Sequence, residues 1–218
     1  MTSRHRDQLR HVTAILDDFY GRPVLAPRYP PVDELVFTVL SQNTADVNTE
    51  RSFAALKARY PRWEQARDAH VAQIETAIAL GGLAHTKAPR IKKILEALSA
   101  RTGHPDLGEL DGMTDAEAQD YLTSLPGVGP KTAACVLLFS LGRPVMPVDT
   151  HVHRVARRLC IIGPKVTAER AHAVRAHRPA GVAVRGDLRS RRGVEPALSP
   201  GVALAVARPL AGHRRRSG

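Results

Sequence analysis

The sequence is poor in cysteine and has no long apolar run, and each absence excludes a class of protein. Only Cys135 and Cys160 occur among the 218 residues, and both lie in apolar helical stretches where we expect core packing. We therefore expect no disulfide framework and a reducing, cytoplasmic compartment. No stretch approaches the roughly 18 apolar residues of a membrane span, and the charged first residues do not resemble a signal sequence. The protein should be soluble, with no membrane partner.

The net charge of +11 and the pI of 10.4 indicate a polyanionic partner, because Lys and Arg side chains near phosphates release condensed counterions. Residues 176–218 contain nine Arg and two acidic residues, so this segment alone supplies +7. The same segment uses only ten residue types, with Pro and Gly recurring every few residues. Such a composition cannot pack a core, and we expect a largely disordered tail.

Up to about residue 175 the apolar residues recur at helical spacing, and no stretch alternates as a strand would. The sequence therefore predicts an all-α, multi-helix bundle. The first helix should end at Gly21 and Pro23, and a helix at 32–42 is apolar nearly all round, as in a buried central helix. Further helices are expected at 46–59, 69–80 and 88–100. Trp63 should be a packing residue, and the RIKK run at 90–93 a solvated helix face.

The segment from Thr114 onward predicts two helices joined by a glycine hairpin. Thr114 and Glu117 form a capping box for a helix to about residue 124, and Pro130 suits the first turn of a helix to about residue 141. We expect Gly127 and Gly129 to need a positive φ or a bare backbone. A hairpin of this kind presents unpaired amides and a positive dipole end, which favour a phosphate. A purely structural turn between helices is the alternative.

Lys131 stands at the second position of the helix that follows the hairpin. A cation there opposes the helix dipole, and such a broken local rule often marks function. The helix field and partial burial would favour the free amine that a Schiff-base nucleophile requires. The alternative is a solvated lysine or a simple phosphate contact.

Asp149 follows Lys131 by eighteen residues, which is enough chain for a helix and a returning loop. Its carboxylate could accept the amine's proton or stabilise positive charge developing on a deoxyribose. Alternatively, Asp149 caps a helix that begins near Thr150. The two roles are compatible.

The motif LPGVGPKTA followed by VDTHVHRV closely resembles the endonuclease III family of DNA glycosylases. The segments ELVFTVLSQNTADVN and GGLAHTKAPRIKKI also resemble that family, and the similarity covers roughly residues 10 to 175. The resemblance implies a helix-hairpin-helix DNA glycosylase fold. It divides the chain into an N-terminal helix at 1–30, a helical domain at 31–145 with the hairpin unit at 114–141, a remnant of a second helical domain at 146–175, and the tail at 176–218.

The same resemblance implies roles for individual residues. Lys131 is the Schiff-base nucleophile, Asp149 is the catalytic carboxylate, and Gln42 or Asn43 enters the duplex where the damaged base has been extruded. Other DNA contacts fall to the hairpin and to the helix after Asp149, at Gly127, Val128, Gly129, Thr132, His151 and Arg154.

The implied function is base excision repair of double-stranded DNA. An oxidised pyrimidine is removed and the abasic site is cleaved by β-elimination, by a monomer associated with the bacterial nucleoid. Three alternatives stay open at this stage. They are a non-catalytic helix-hairpin-helix module that only binds DNA, a monofunctional glycosylase that uses Asp149 and water, and an inactive frameshifted product.

The sequence departs from the family in its cysteines and in its tail. Many members bind a [4Fe-4S] cluster through a four-cysteine loop, whereas this chain has no cysteine after Cys160, so we expect no cofactor. We expect no metal either, because His151 and His153 are two residues apart and point away from each other on a helix. The abrupt change near residue 175 suggests an out-of-frame tail, which resequencing the gene would test.

Overall fold

The computed structural model describes residues 3–21 and 27–172. These ranges contain ten α-helices and no strand, which confirms the all-α prediction. The tail predicted at 176–218 lies outside the described residues. The helices are α1 (Ser3–Tyr20), α2 (Pro31–Ser41), α3 (Asp46–Arg59), α4 (Trp63–Asp68), α5 (Val71–Ala77), α6 (Ala84–Thr102), α7 (Asp115–Thr123), α8 (Pro130–Phe139), α9 (Thr150–Arg158) and α10 (Ala168–His172), with 3-10 turns at Ala79–Gly81 and Gly108–Gly112.

The described residues form two compact units, one made of residues 27–147 and the other of residues 3–21 with 148–172. The larger unit is built around α2, as its apolar sequence predicts. Leu35, Val36, Val39 and Leu40 are fully buried in this helix. α2 packs against α3, α6 and α8, and α6 packs against α4 and α5. The finer division into four segments stays a prediction.

A buried ion pair lies at the start of α2. Glu34 is fully buried and accepts hydrogen bonds from Arg28, with Nη2–Oε1 at 2.5 Å and Nε–Oε2 at 3.1 Å. The guanidinium carbon of Arg28 also lies 4.2 Å from the ring centre of Phe37. Burial raises the pKa of Glu34 above its usual value.

The helix boundaries follow local rules where tertiary contacts do not override them. The helix predicted at 46–59 matches α3. The helix predicted at 69–80 is instead α5 followed by a 3-10 turn, and the one predicted at 88–100 already begins at Ala84. The short α4 was not predicted. Its first residue, Trp63, is buried as expected, and its indole N–H also donates to Asp33 at 2.5 Å.

The smaller unit contains α1, α9 and α10. The side-chain amide of Gln8 donates to the carbonyl of Leu159, which joins α1 to the end of α9. Cys160 is exposed with a φ of 51°, so the expectation that it is a core residue is wrong. It ends α9 in the left-handed conformation, and its N–H donates to the carbonyl of Arg157 at 3.0 Å. Cys135 in α8 is buried, as predicted. Within the described ranges, no helix is both long and apolar enough to cross a bilayer.

Candidate nucleic-acid interface and active site

The hairpin begins where α7 ends. The capping box at the start of α7 is confirmed, because the Thr114 N–H donates to Glu117 Oε2 at 2.8 Å and the Glu117 N–H donates to Thr114 Oγ1 at 3.3 Å. After α7 the chain turns sharply, and the Val128 N–H donates to the Leu125 carbonyl at 3.2 Å. The two central positions of this turn hold a proline and a glycine at φ 72°, as a type II turn requires.

The two hairpin glycines have different roles. A Cβ atom at Gly127 would lie 2.9 Å from both Cδ and Nε of Arg90, so this position needs both a positive φ and a bare backbone. Gly129 has a φ of −93°, and nothing lies within 4 Å of a Cβ placed there. The prediction is therefore confirmed for Gly127 and wrong for Gly129. Gly129 instead starts α8, and its carbonyl accepts from the N–H of Ala133 at 3.0 Å.

The amides that could bind a phosphate differ from those predicted. The Val128 N–H is already bonded within the turn, and the side chain is buried. Its contact with DNA stays a prediction. The N–H groups of Gly127, Gly129, Lys131 and Thr132 have no acceptor in the part of the chain that the structure describes. Because α8 begins here, the positive end of its dipole adds to these amides. The first turn of α8 is therefore the candidate phosphate site.

Lys131 is exposed at the second position of α8. The expected partial burial is therefore wrong. Lys131 also forms no ion pair with any carboxylate of the described residues. Its amine is thus free to reach a ligand that binds at the start of α8.

Gln42 and Asn43 follow the end of α2. The side chain of Gln42 is half-buried, with Oε1 2.7 Å from Arg90 Nη1 and Nε2 3.4 Å from Thr132 Oγ1. Thr132 is buried, and its hydroxyl supports Gln42. Its contact with DNA stays a prediction. Asn43 is exposed at a φ of 53°. The structure therefore brings Gln42, the hairpin and the first turn of α8 together around Arg90.

Three cations of α6 were missed or misinterpreted from the sequence. Arg90 packs against Gly127, and Lys92 Nζ donates to the Ala69 carbonyl at 3.0 Å, so the expected solvated face at 90–93 is wrong for both. Lys87 is buried, and the burial lowers the pKa of its amine below the usual value. The sequence did contain a signal for Lys87, because it stands four residues before the buried Ile91 on the apolar face of α6.

The ammonium of Lys87 joins three segments of the larger unit. Its Nζ donates to the Leu40 carbonyl at 2.6 Å, to Thr44 Oγ1 at 2.5 Å and to the Gly81 carbonyl at 3.2 Å. Thr44 Oγ1 itself donates to the Gly81 carbonyl at 2.6 Å. Lys87 therefore stabilises the segment from Leu40 to Thr44, which contains Gln42.

Asp149 belongs to the smaller unit and caps α9, which is one of the two roles predicted for it. Its Oδ1 accepts from the N–H groups of His151 at 3.0 Å and Val152 at 2.7 Å. Its Oδ2 has no partner among the described residues, so the carboxylate keeps a free oxygen. Lys131 lies in the other unit, and the pairing of the two residues stays a prediction.

The exposed face of α9 carries the other predicted contacts of the smaller unit. Arg154 Nη2 lies 3.1 Å from Nδ1 of the exposed His151. Arg154, Arg157 and Arg158 also line a surface cavity of about 610 Å³. Three guanidinium groups around one cavity suit an anion such as a phosphate.

The donor set does not fit the family's iron-sulfur cluster. Such a cluster needs four thiolates, and the sequence contains only the buried Cys135 and the exposed Cys160. Within the described ranges, no group of three or more His, Cys, Asp or Glu side chains is placed to hold a metal ion.

Comparison with known proteins gives consistent matches. The model of the HhH-GPD superfamily of base excision DNA repair proteins matches residues 36–177. A provisionally named DNA glycosylase from Arabidopsis thaliana is 45% identical over 128 residues, which are 59% of this chain and 44% of the plant protein. Endonuclease III from Thermotoga maritima is 33% identical over 145 residues, which are 66% of this chain and 64% of that enzyme. The chain thus spans less than two thirds of either relative.

A solved structure of endonuclease III bound non-covalently to DNA has a similar fold. It superposes with a TM-score of 0.64 at 25% sequence identity, over 79% of this chain and 76% of the other.

Proposed function

Because the chain belongs to the HhH-GPD superfamily of base excision DNA repair proteins, we propose that it is a DNA glycosylase that removes oxidised pyrimidines and cleaves the abasic site through Lys131. Membership of the family confirms the resemblance that the sequence motifs indicated. One observation carries the proposal for this chain. The amine of Lys131 is exposed, and within residues 3–21 and 27–172 neither this amine nor the amides at the start of α8 that can bind a phosphate have a partner.

Binding of duplex DNA would place a backbone phosphate at the start of α8. The free N–H groups of Gly129, Lys131 and Thr132 would donate to its oxygens. Gln42 or Asn43 would then enter the gap left by the extruded nucleotide. The DNA complex of the structural relative supports duplex DNA as the partner.

In the chemical step the amine of Lys131 forms a bond to C1′ of the sugar while the bond from C1′ to the base breaks. The base leaves with the bonding electrons and takes up a proton. The nucleophile of this step is the free amine of Lys131, beside the positive end of the α8 dipole. Asp149 Oδ2 would accept the amine's proton or stabilise positive charge on the sugar. The nitrogen lone pair next forms the C1′=N bond of a protonated imine while the C1′–O4′ bond breaks and O4′ takes up a proton, which opens the sugar ring. Loss of a C2′ proton then forms a C2′–C3′ double bond as the C3′–O bond breaks and the 3′ phosphate leaves with the bonding electrons.

Borohydride trapping on duplex DNA with one abasic site tests this proposal, because reduction of a Schiff base joins protein and DNA covalently. The wild type should be trapped, Lys131→Ala should not, and Lys93→Ala, which removes an exposed lysine of α6, should be trapped as efficiently as the wild type. Trapping that survives Lys131→Ala would refute the assignment of the nucleophile.

The same assay separates the alternatives. A wild type that binds the duplex without trapping, but releases oxidised bases, would be a monofunctional glycosylase that uses Asp149 and water. A wild type that binds and performs neither reaction would be a DNA-binding module. Either outcome would contradict the proposed lyase activity.

A further inference from the structure

Arg90 contacts both segments that the proposed function places on DNA. It lies on α6, where its Nη1 donates to Gln42 Oε1 at 2.7 Å. The middle of the same side chain passes beside the hairpin, in the space that a side chain at Gly127 would fill. Arg90 therefore connects the end of α2 to the turn before α8.

The contacts of Gln42 fix the orientation of its carboxamide. A guanidinium has only N–H donors, so the Gln42 atom facing Arg90 must be the oxygen. The amide nitrogen then points at Oγ1 of the buried Thr132, 3.4 Å away in the first turn of α8. Gln42 is thus held at both ends of its amide by residues on two different helices.

We propose that Arg90 is a positioning residue that holds Gln42 ready to enter the duplex and couples this step to the hairpin. The inference rests on the proposed function, since it gives Gln42 the role of filling the gap in the DNA. A free glutamine side chain loses rotamer entropy when it is ordered, equivalent to about tenfold in a rate or equilibrium. Arg90 and Thr132 impose that order before DNA binds.

A double-mutant cycle on DNA distortion tests the inference. The probe is a duplex with one tetrahydrofuran abasic-site analogue opposite 2-aminopurine, whose fluorescence changes when its stacking is disturbed. Arg90→Met keeps the aliphatic length beside Gly127 and removes every donor, and Arg90→Lys restores one cation. Lys93→Met removes an exposed cation from the same helix and serves as the matched control.

We expect Arg90→Met and Gln42→Ala each to slow the fluorescence change by about tenfold. The double variant should be no slower than Gln42→Ala alone, because Arg90 acts through Gln42. Arg90→Lys should recover part of the rate, and Lys93→Met should match the wild type. A melting temperature of Arg90→Met close to that of the wild type excludes a folding defect. If Arg90→Met does not fold, Thr132→Val releases the other end of Gln42 and must show the same non-additivity.

Two results would overturn the inference. Additive losses would show that Arg90 and Gln42 act independently. A normal rate for Arg90→Met combined with weaker binding and a smaller salt dependence would make Arg90 a phosphate contact instead. A wild type that neither binds the duplex nor changes its fluorescence would refute the proposed function itself.

Discussion

Substitution of Gly127 by alanine should damage the protein in two separable ways. The first is backbone strain, because a left-handed φ of 72° costs an alanine roughly 1–2 kcal/mol. The second is displacement of Arg90, whose Cδ and Nε would lie 2.9 Å from the new methyl group. Loss of the charge-assisted hydrogen bond from Arg90 to Gln42 adds about 1–2 kcal/mol. We therefore expect the free energy of unfolding to fall by about 2–4 kcal/mol.

Gly103→Ala is the matched control. Gly103 has a φ of 83°, and nothing lies within 4 Å of its added methyl group, so only the strain of roughly 1–2 kcal/mol applies. Urea unfolding measures both variants, and fluorescence anisotropy measures their affinity for a duplex with one abasic-site analogue. Gly127→Ala should bind at least about tenfold more weakly than the wild type, and Gly103→Ala equally well. Equal losses of stability in the two variants, or normal DNA binding by Gly127→Ala, would refute the reasoning.

Three further predictions concern the interior and the thiols. Lys87→Met removes the buried donor that the Leu40 carbonyl, the Gly81 carbonyl and Thr44 Oγ1 share, and should cost about 1–3 kcal/mol in urea unfolding. Lys93→Met on the surface should change stability by under about 0.5 kcal/mol, and equal effects would contradict this. Burial raises the pKa of Glu34 above 4.5 in the folded protein, so protonation of this carboxyl stabilises the fold. The contribution to stability is fully present below pH 4.5 and is lost as the pH rises through the raised pKa. The stability of the wild type relative to Glu34→Gln should therefore decline over that interval, and a pH-independent difference would be inconsistent with it. In a thiol titration Cys160 should react in the folded protein and Cys135 only after unfolding. Rapid reaction of both thiols in the folded protein would contradict the burial of Cys135.

The sequence predicts what local rules determine. The capping box at Thr114, the bounds of α3 and the buried face of α2 all depend on residues close together in the chain, and each is confirmed. The positive φ of Gly127 is also local, since proline followed by glycine specifies the turn type.

The errors arise where partners distant in sequence decide the outcome. Arg90 was expected to be solvated because its own segment is charged, but Gln42 and Gly127 approach it from two other parts of the fold. The contact between Thr132 and Gln42 was not predicted, because it depends on the packing of α8 against α2. The six residues of α4 give too short a period to recognise, and tertiary burial of Trp63 stabilises them.

The single ammonium of Lys87 also limits how this protein can change in length. Thr44 and Gly81 stand in connections that are separated by three helices, α3 to α5, yet they share that one buried donor. An insertion in either loop would withdraw an acceptor from a cation that burial already disfavours. Length variation among relatives should therefore accumulate in connections that Lys87 does not touch, such as residues 103–107, while these two loops keep a constant size.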